Sequence, residues 1–525
     1  MVTESVVKKR RDAHYFMNKR YSGILMHISS LSNRFGIGSF GQSAYDFVDF
    51  LDRTEQKYWQ VLPLGPISYG DSPYQSFSAF AGNTYFIDLE RLVSEGLLSW
   101  EDLENVDFGA NPEYVDYARI FEVRRPLMEK AVWAFQEKGN QEAYQHFLAE
   151  NMEWIYDFAD YMAIKEHFEN QSWITWPDES IRRRDSERLT YYRELLADKI
   201  AYHRITQFLF FQQWHDLKAY ANSKGIEIIG DMPIYVSADS SDMWTAPHFF
   251  KTDEAGRPTV VAGCPPDAFS ETGQLWGNPI YNWDAMAADG YSWWVRRMRE
   301  SLKLYDMIRI DHFRGFEAYW EVPSEDDTAL NGRWVKGPDK ALFAAFQSEL
   351  GENLPIIAED LGLITDEVIE LRDSLKLPGM KVLQFAYDSL GDSTYLPHRC
   401  DYNTVTYTGT HDNNTIRGWY EDDITEEVRH FFDQYSHRSH DETASQAMIR
   451  QAWASNSQLA ITSMQDLLNL GSESRMNIPS TLGTNWQWRM SSAIIEKMVE
   501  NNLHNLTKLY SRQKTTQTAY QESTF

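Results

Sequence analysis

The sequence predicts an α/β protein, a (β/α)8 TIM barrel with helical and irregular insertions and no C-terminal β-sandwich domain. Three observations lead there. Eight short apolar runs recur along the chain, most with room for a helix before the next. Three of these runs stop abruptly at carboxylates, as buried parallel strands do where they meet their loops. The eighth run comes near the C-terminus, where too few residues follow for another β domain.

Taken in order, Gly23–Ile28 is the first strand, and Gly36 and Gly38 punctuate the loop after it. Residues 42–53 form an amphipathic helix, with Ala44, Phe47, Val48 and Leu51 on one face. Tyr58–Leu62 is the second strand. Its loop, 65–83, is rich in Ser, Gly and Tyr and too long for a plain connection, which suggests function. From about 89 to 200 the apolar residues recur at helical spacing, a helical insertion whose following helix belongs to the barrel. The run Arg182-Arg183-Arg184 inside it reads as a solvated loop. Strand three is 225–231 and also ends in an acid, Asp231. About 242–291, rich in Pro, Gly and Trp and without a period, is an irregular lobe over the active end. Strands four to eight are 306–311, 355–359, 381–387, 404–408 and 459–465. Residues 494–499 suggest a closing helix, and the polar tail from Leu506 is expected to fray. The whole of 1–525 is thus one catalytic barrel with two insertions.

Composition narrows the function. The net charge of −27 disfavours nucleic acid and anionic membrane as partners. Aromatic residues reach 14%, including 18 Trp, a supply of flat rings suited to sugar faces, although most belong to the core. Two cysteines, Cys264 and Cys400, make no disulfide framework, which points to a reducing, cytoplasmic setting. No apolar stretch is long enough to span a membrane. The N-terminus, with Lys8-Lys9-Arg10-Arg11, has no apolar signal-peptide region.

The carboxylates carry the chemistry. Met307-Ile308-Arg309-Ile310-Asp311, Ile356-Ile357-Ala358-Glu359 and Thr404–Asp412 each deliver an acid where an apolar run ends. Buried carboxylates are costly unless they are paired, so three together indicate a site. Such a set can divide acid–base work, with one carboxylate ionised and a second acid holding a proton. Arg309 lies two residues before Asp311, so both point to one side of a strand, and the guanidinium would keep Asp311 ionised. The apolar approach to Glu359 would keep that carboxyl protonated. By strand alternation His312 and Asp360 face away and are structural, while His27 is equally a site-floor or a structural residue. Phosphate loops, nucleophile elbows, His/Cys metal spacings and an Asp-x-Asp-x-Asp calcium loop are all missing, so no cofactor is expected.

These blocks, with Tyr58–Pro66, Gly70–Gln75, Gly230–Tyr235, Pro265-Pro266-Asp267, Gly273–Pro279 and Arg475-Met476-Asn477, resemble the 4-α-glucanotransferases from Gly23 to about Arg489. That family, also called amylomaltase or disproportionating enzyme, is glycoside hydrolase family 77 of the α-amylase clan. The resemblance implies transfer of α-1,4-glucan segments between maltooligosaccharides or amylose by a retaining double displacement. In that scheme Asp311 is the nucleophile, Glu359 the acid/base, and Asp412 the residue that stabilises the transition state. It further implies substrate contacts from Tyr74, Asp231, Arg309, His411 and Asn477, and from Asp267, Gln274 and Trp276 on a mobile acceptor-side loop. Thr84, Cys264 and Ser480-Thr481-Leu482 depart from the family pattern. The last stands near Asn477 and leaves that residue's role open. An α-glucan hydrolase on the same barrel, and a glucan-binding protein without catalysis, are the competing readings.

Overall fold

Eight parallel strands close into a barrel in the computed structural model, which describes residues 19–68, 70–266 and 270–514. They are β1 (Tyr21–Leu25), β2 (Tyr58–Gln60), β3 (Glu227–Met232), β4 (Met307–Ile310), β5 (Ile356–Ala358), β6 (Gly379–Val382), β7 (Thr404–Tyr407) and β8 (Leu459–Ser463). Each strand pairs with the next in the chain and β8 returns to β1. Helices outside and side chains inside bury both faces, so the strands read as apolar runs rather than as alternating ones. The polar exceptions inside find partners, as where Tyr407 donates to Gln60 at 2.8 Å.

β6 begins two residues earlier and ends sooner than the sequence suggests. The Asp360 carboxylate accepts the Met380 N–H at 2.7 Å and sits where a Gly379 Cβ would be. A tertiary contact therefore sets the start of the strand, and the apolar run beyond Val382 turns into a short 3-10 helix, Leu383–Phe385.

Helix Gln42–Arg53 buries Ala44, Phe47, Val48 and Leu51, as its spacing requires. Between β2 and β3 lie helices Tyr117–Lys138, Gln141–Glu150, Ile155–His167 and Ala197–Ser223. The last of these positions the long loop after β2. Its Gln207 brackets both backbone groups of Gly82 (2.7 and 2.9 Å), and Gln213 accepts the Asp88 N–H at 2.7 Å. Only glycine fits at 82, because a Cβ there would lie 2.1 Å from the Phe210 ring.

Two regions differ from expectation. The stretch 242–291 is not irregular throughout. It holds strands Val260–Cys264 and Gln274–Pro279 of a four-stranded antiparallel sheet, completed by Ala318–Pro323 and Arg333–Lys336 from beyond β4. Val261, Val322 and Ala329 form its own small core. The partner strands lie across a barrel strand in sequence, so no local period announces them.

The tail does not fray at Leu506. Helix Lys497–Leu509 buries Leu503 and Thr507, and beyond it Arg512 is fully buried. Arg512 donates to the carbonyls of Tyr21, Trp453 and Ser455 at 2.7–2.9 Å, and Lys514 to that of Lys224 at 2.7 Å. A polar segment stays ordered here because it satisfies backbone acceptors where β1 begins. Among the described residues no helix is long and apolar enough to cross a membrane.

Candidate active site

The catalytic end of the barrel is built from a cation shared between two acids. Asp231 on β3 lies opposite Arg309 on β4, and the chain reaches Asp311 one residue past β4. Nη1 of Arg309 donates to both carboxylate oxygens of Asp231 at 2.8 Å, and Nη2 lies 3.1 Å from Asp311 Oδ1. The Asp231 side chain is fully buried, whereas Asp311 keeps 32% of its surface open to the cleft. Burial pushes the Asp311 carboxyl up from its ordinary range and the guanidinium pulls it back. Arg309 thus opposes burial without overcoming it, a weaker effect than the sequence implied. Water at the open third of the side chain also favours the ionised form.

Glu359 is held differently. It follows β5, whose Ile356, Ile357 and Ala358 are all buried. Among the described residues no guanidinium hydrogen-bonds it. Instead two backbone amides donate to it, His312 N to Oε2 at 2.7 Å and Leu361 N to Oε1 at 2.9 Å. Burial outweighs these amides and the pull of Arg309, and the nearby Asp311 adds to the upward push, so the Glu359 carboxyl is raised to about 7. It therefore holds a proton for a good part of the time at neutral pH.

Asp412 stands past β7 with its side chain half open. Asn477 Nδ2 donates to its Oδ1 at 2.6 Å, His411 Nε2 lies 3.3 Å from the same oxygen, and Arg475 donates to its backbone carbonyl at 2.6 Å. Asn477 is thus tied to Asp412 despite the unusual sequence that follows it. Tyr74 closes the ring of contacts. Its hydroxyl donates to Asp231 at 2.9 Å, and its ring stacks on His411 at 4.9 Å with 20° between planes. Trp486 lies 5.7 Å from both rings.

From the antiparallel lobe, Trp276 meets His312 edge to face at 4.7 Å, and Gln274 accepts the Trp276 indole N–H at 3.2 Å. Asp267 lies outside the described residues. Asp360 faces away, bound to Arg372 and the Met380 amide. His312 does not continue the strand alternation, because its φ of 54° puts it in the left-handed region just after β4. His27 is buried and neutral, its pKa lowered to about 3 by desolvation and by His411, and it accepts the Leu62 N–H. It also lines a small cavity beneath His411.

Sequence reasoning missed four contributors. Arg475 sits in a recognised block and could have been named. Trp486 is one tryptophan among 18 with no local mark. The amides of His312 and Leu361 leave no trace in residue type. Among the described residues no group of three or more His, Cys, Asp or Glu side chains is arranged to hold a metal.

The family model described as 4-alpha-glucanotransferase matches residues 26–495. The chain is 60% identical over 496 residues to the 4-alpha-glucanotransferase of Streptococcus pneumoniae serotype 4, covering 94% of this chain and 98% of that relative. It is 46% identical over 480 residues to that of Thermus thermophilus, covering 90% and 95%. Among solved structures, amylomaltase from Streptococcus agalactiae in complex with acarbose superposes with a TM-score of 0.92 at 48% identity, over 94% of this chain and all of that one. Amylomaltase from Corynebacterium glutamicum, at 16% identity and a TM-score of 0.76 over 96% and 77%, shares the fold.

Proposed function

Because the chain belongs to the 4-α-glucanotransferase family, we propose that Asp311, Glu359 and Asp412 carry out its transfer reaction. The enzyme moves α-1,4-glucan segments by a retaining double displacement, and its substrate is an α-glucan. In the first step an Asp311 oxygen bonds to the anomeric carbon as the glycosidic bond breaks, and Glu359 gives its proton to the departing oxygen. In the second, Glu359 takes the proton of an acceptor hydroxyl, which attacks the anomeric carbon and releases Asp311. Asp412, held by Asn477 and His411, stabilises the charge that develops on the sugar.

One observation carries this reading: two acids one strand apart, one beside a guanidinium and open to the cleft, the other desolvated and raised to about 7. Burial raises both carboxyls, and the guanidinium that pairs with Asp311 but not with Glu359 is what separates nucleophile from proton donor. Tyr74, Asp231, Arg309 and His411 frame the donor sugar, with Asn477 behind Asp412. Gln274 and Trp276 offer a hydrogen-bonding amide and the stacking face an acceptor sugar needs, and the family resemblance assigns Asp267 to the same role. Maltooligosaccharides and amylose suit this cleft as substrates, the chemistry needs no cofactor, and a chain with only two cysteines suits the cytoplasm.

Maltotriose followed by chromatography, with total reducing ends measured in parallel, tests the transfer. A ladder of shorter and longer oligomers at constant reducing-end count is expected. A count that climbs in step with cleavage would mean hydrolysis. Asp311→Asn should stop both.

A further inference from the structure

Each edge strand of the lobe's sheet lays an aromatic ring on the loop that follows Asp311. Gln274–Pro279 presses Trp276 onto His312, and Arg333–Lys336 lays Trp334 against the Arg314 guanidinium at 4.0 Å. His312 and Arg314 both stand in the loop that follows Asp311. Arg314 is buried, donates to the Leu363 carbonyl, and leaves its Nε without a partner among the described residues. Leu363 lies two residues past Leu361, whose amide grips Glu359 Oε1. The His312 amide grips Oε2 from a left-handed backbone conformation that a non-glycine residue adopts only under tertiary restraint.

We infer that the lobe acts as a clamp on the acid/base through two positioning residues, His312 and Arg314. Trp276 seats His312, and so the amide on Oε2. Trp334 seats Arg314, which ties down the Leu361–Leu363 turn and so the amide on Oε1. A buried guanidinium with an unmet donor costs stability, and positioning this turn is what the arrangement gains in return. Neither residue touches the reacting atoms, so the effect is felt only through Glu359. The inference rests on Glu359 being the acid/base.

The test compares maltotriose, whose leaving group needs a proton, with α-glucosyl fluoride, whose burst of fluoride reports formation of the intermediate without one. Arg314→Met and Trp334→Leu should lower kcat/KM on maltotriose by about ten- to a hundred-fold, the cost of small misplacement, and leave the fluoride burst within about two-fold. His312→Asn, whose side chain tolerates the left-handed backbone, should behave likewise. Weaker amide donation to the carboxylate disfavours its charged form, so the basic limb of the maltotriose profile should move to higher pH. Arg314→Lys, which can still reach the Leu363 carbonyl, should restore part of the loss. Glu359→Gln is the control. If it fails to separate the two substrates, the acid/base assignment falls. If it separates them while the Arg314, Trp334 and His312 variants lose both activities equally, or lose neither, the clamp is overturned. Trp334→Phe retains an aromatic face and serves where a harsher variant does not fold.

Discussion

Asp311 and Glu359 stand at the ends of neighbouring strands and are neutralised by opposite means. Asp311 has a full positive charge 3.1 Å away and a third of its side chain exposed. Glu359 has two neutral amides and a desolvated pocket. The guanidinium beside Asp311 is split, since Arg309 gives Nη1 to both oxygens of Asp231 and Nη2 to Asp311. Asp231 thus holds Arg309 in place beside Asp311. Backbone amides orient Glu359 without adding a charge that would strip its proton. What differs between the two acids is the kind of partner, and that difference divides the work.

The largest break comes from removing the nucleophile. Asp311→Asn should lower transfer by about 10⁴-fold or more while leaving glucan affinity within a few-fold. Calorimetry with maltooligosaccharide on the variant checks the second half. Lost binding would mean that Asp311 serves mainly to hold substrate.

Glu359→Gln should cost about 10²–10⁴-fold on maltotriose and little in the fluoride burst. The wild type should also lose kcat/KM as pH rises through about 7, because the proton donor empties there, and this limb should vanish in the variant. A basic limb that persists unchanged would place the titrating group elsewhere.

Arg309→Lys sharpens the other side. Lysine keeps a charge but cannot fork between Asp231 and Asp311. A weaker cation lets the nucleophile's pKa rise, so the acidic limb should shift to higher pH, with a loss of about ten-fold near neutrality. If the basic limb moves instead, Arg309 acts chiefly on Glu359.

The smallest effect is on the partition between acceptor and water at Trp276. Trp276→Ala should slow acceptor attack more than formation of the glucosyl–Asp311 intermediate, raising the hydrolysed fraction about two- to five-fold by loosening acceptor orientation. Reducing-end count per maltotriose cleaved is the measure. An unchanged ratio would relegate Trp276 to packing.

The sequence by itself determined the barrel and pointed to the acids at its strand ends. Strands buried on both faces must be apolar, so Met307–Ile310, Ile356–Ala358 and Thr404–Tyr407 announce themselves, and the carboxylates beyond them break that pattern at the only end where loops can carry chemistry. Only the tertiary structure decided the rest. The lobe's sheet pairs Val260–Cys264 with Ala318–Pro323 across β4, a contact with no local period. Arg512 looks like part of a polar tail and proves buried, because carbonyls contributed by Tyr21, Trp453 and Ser455 need a donor there. The start of β6 depends on Asp360 lying over Gly379. The placement of Glu359 depends on amides from two loops, and a backbone N–H looks the same in every residue until folding aims it. Residue type records burial and charge; it does not record which distant backbone group will face which side chain.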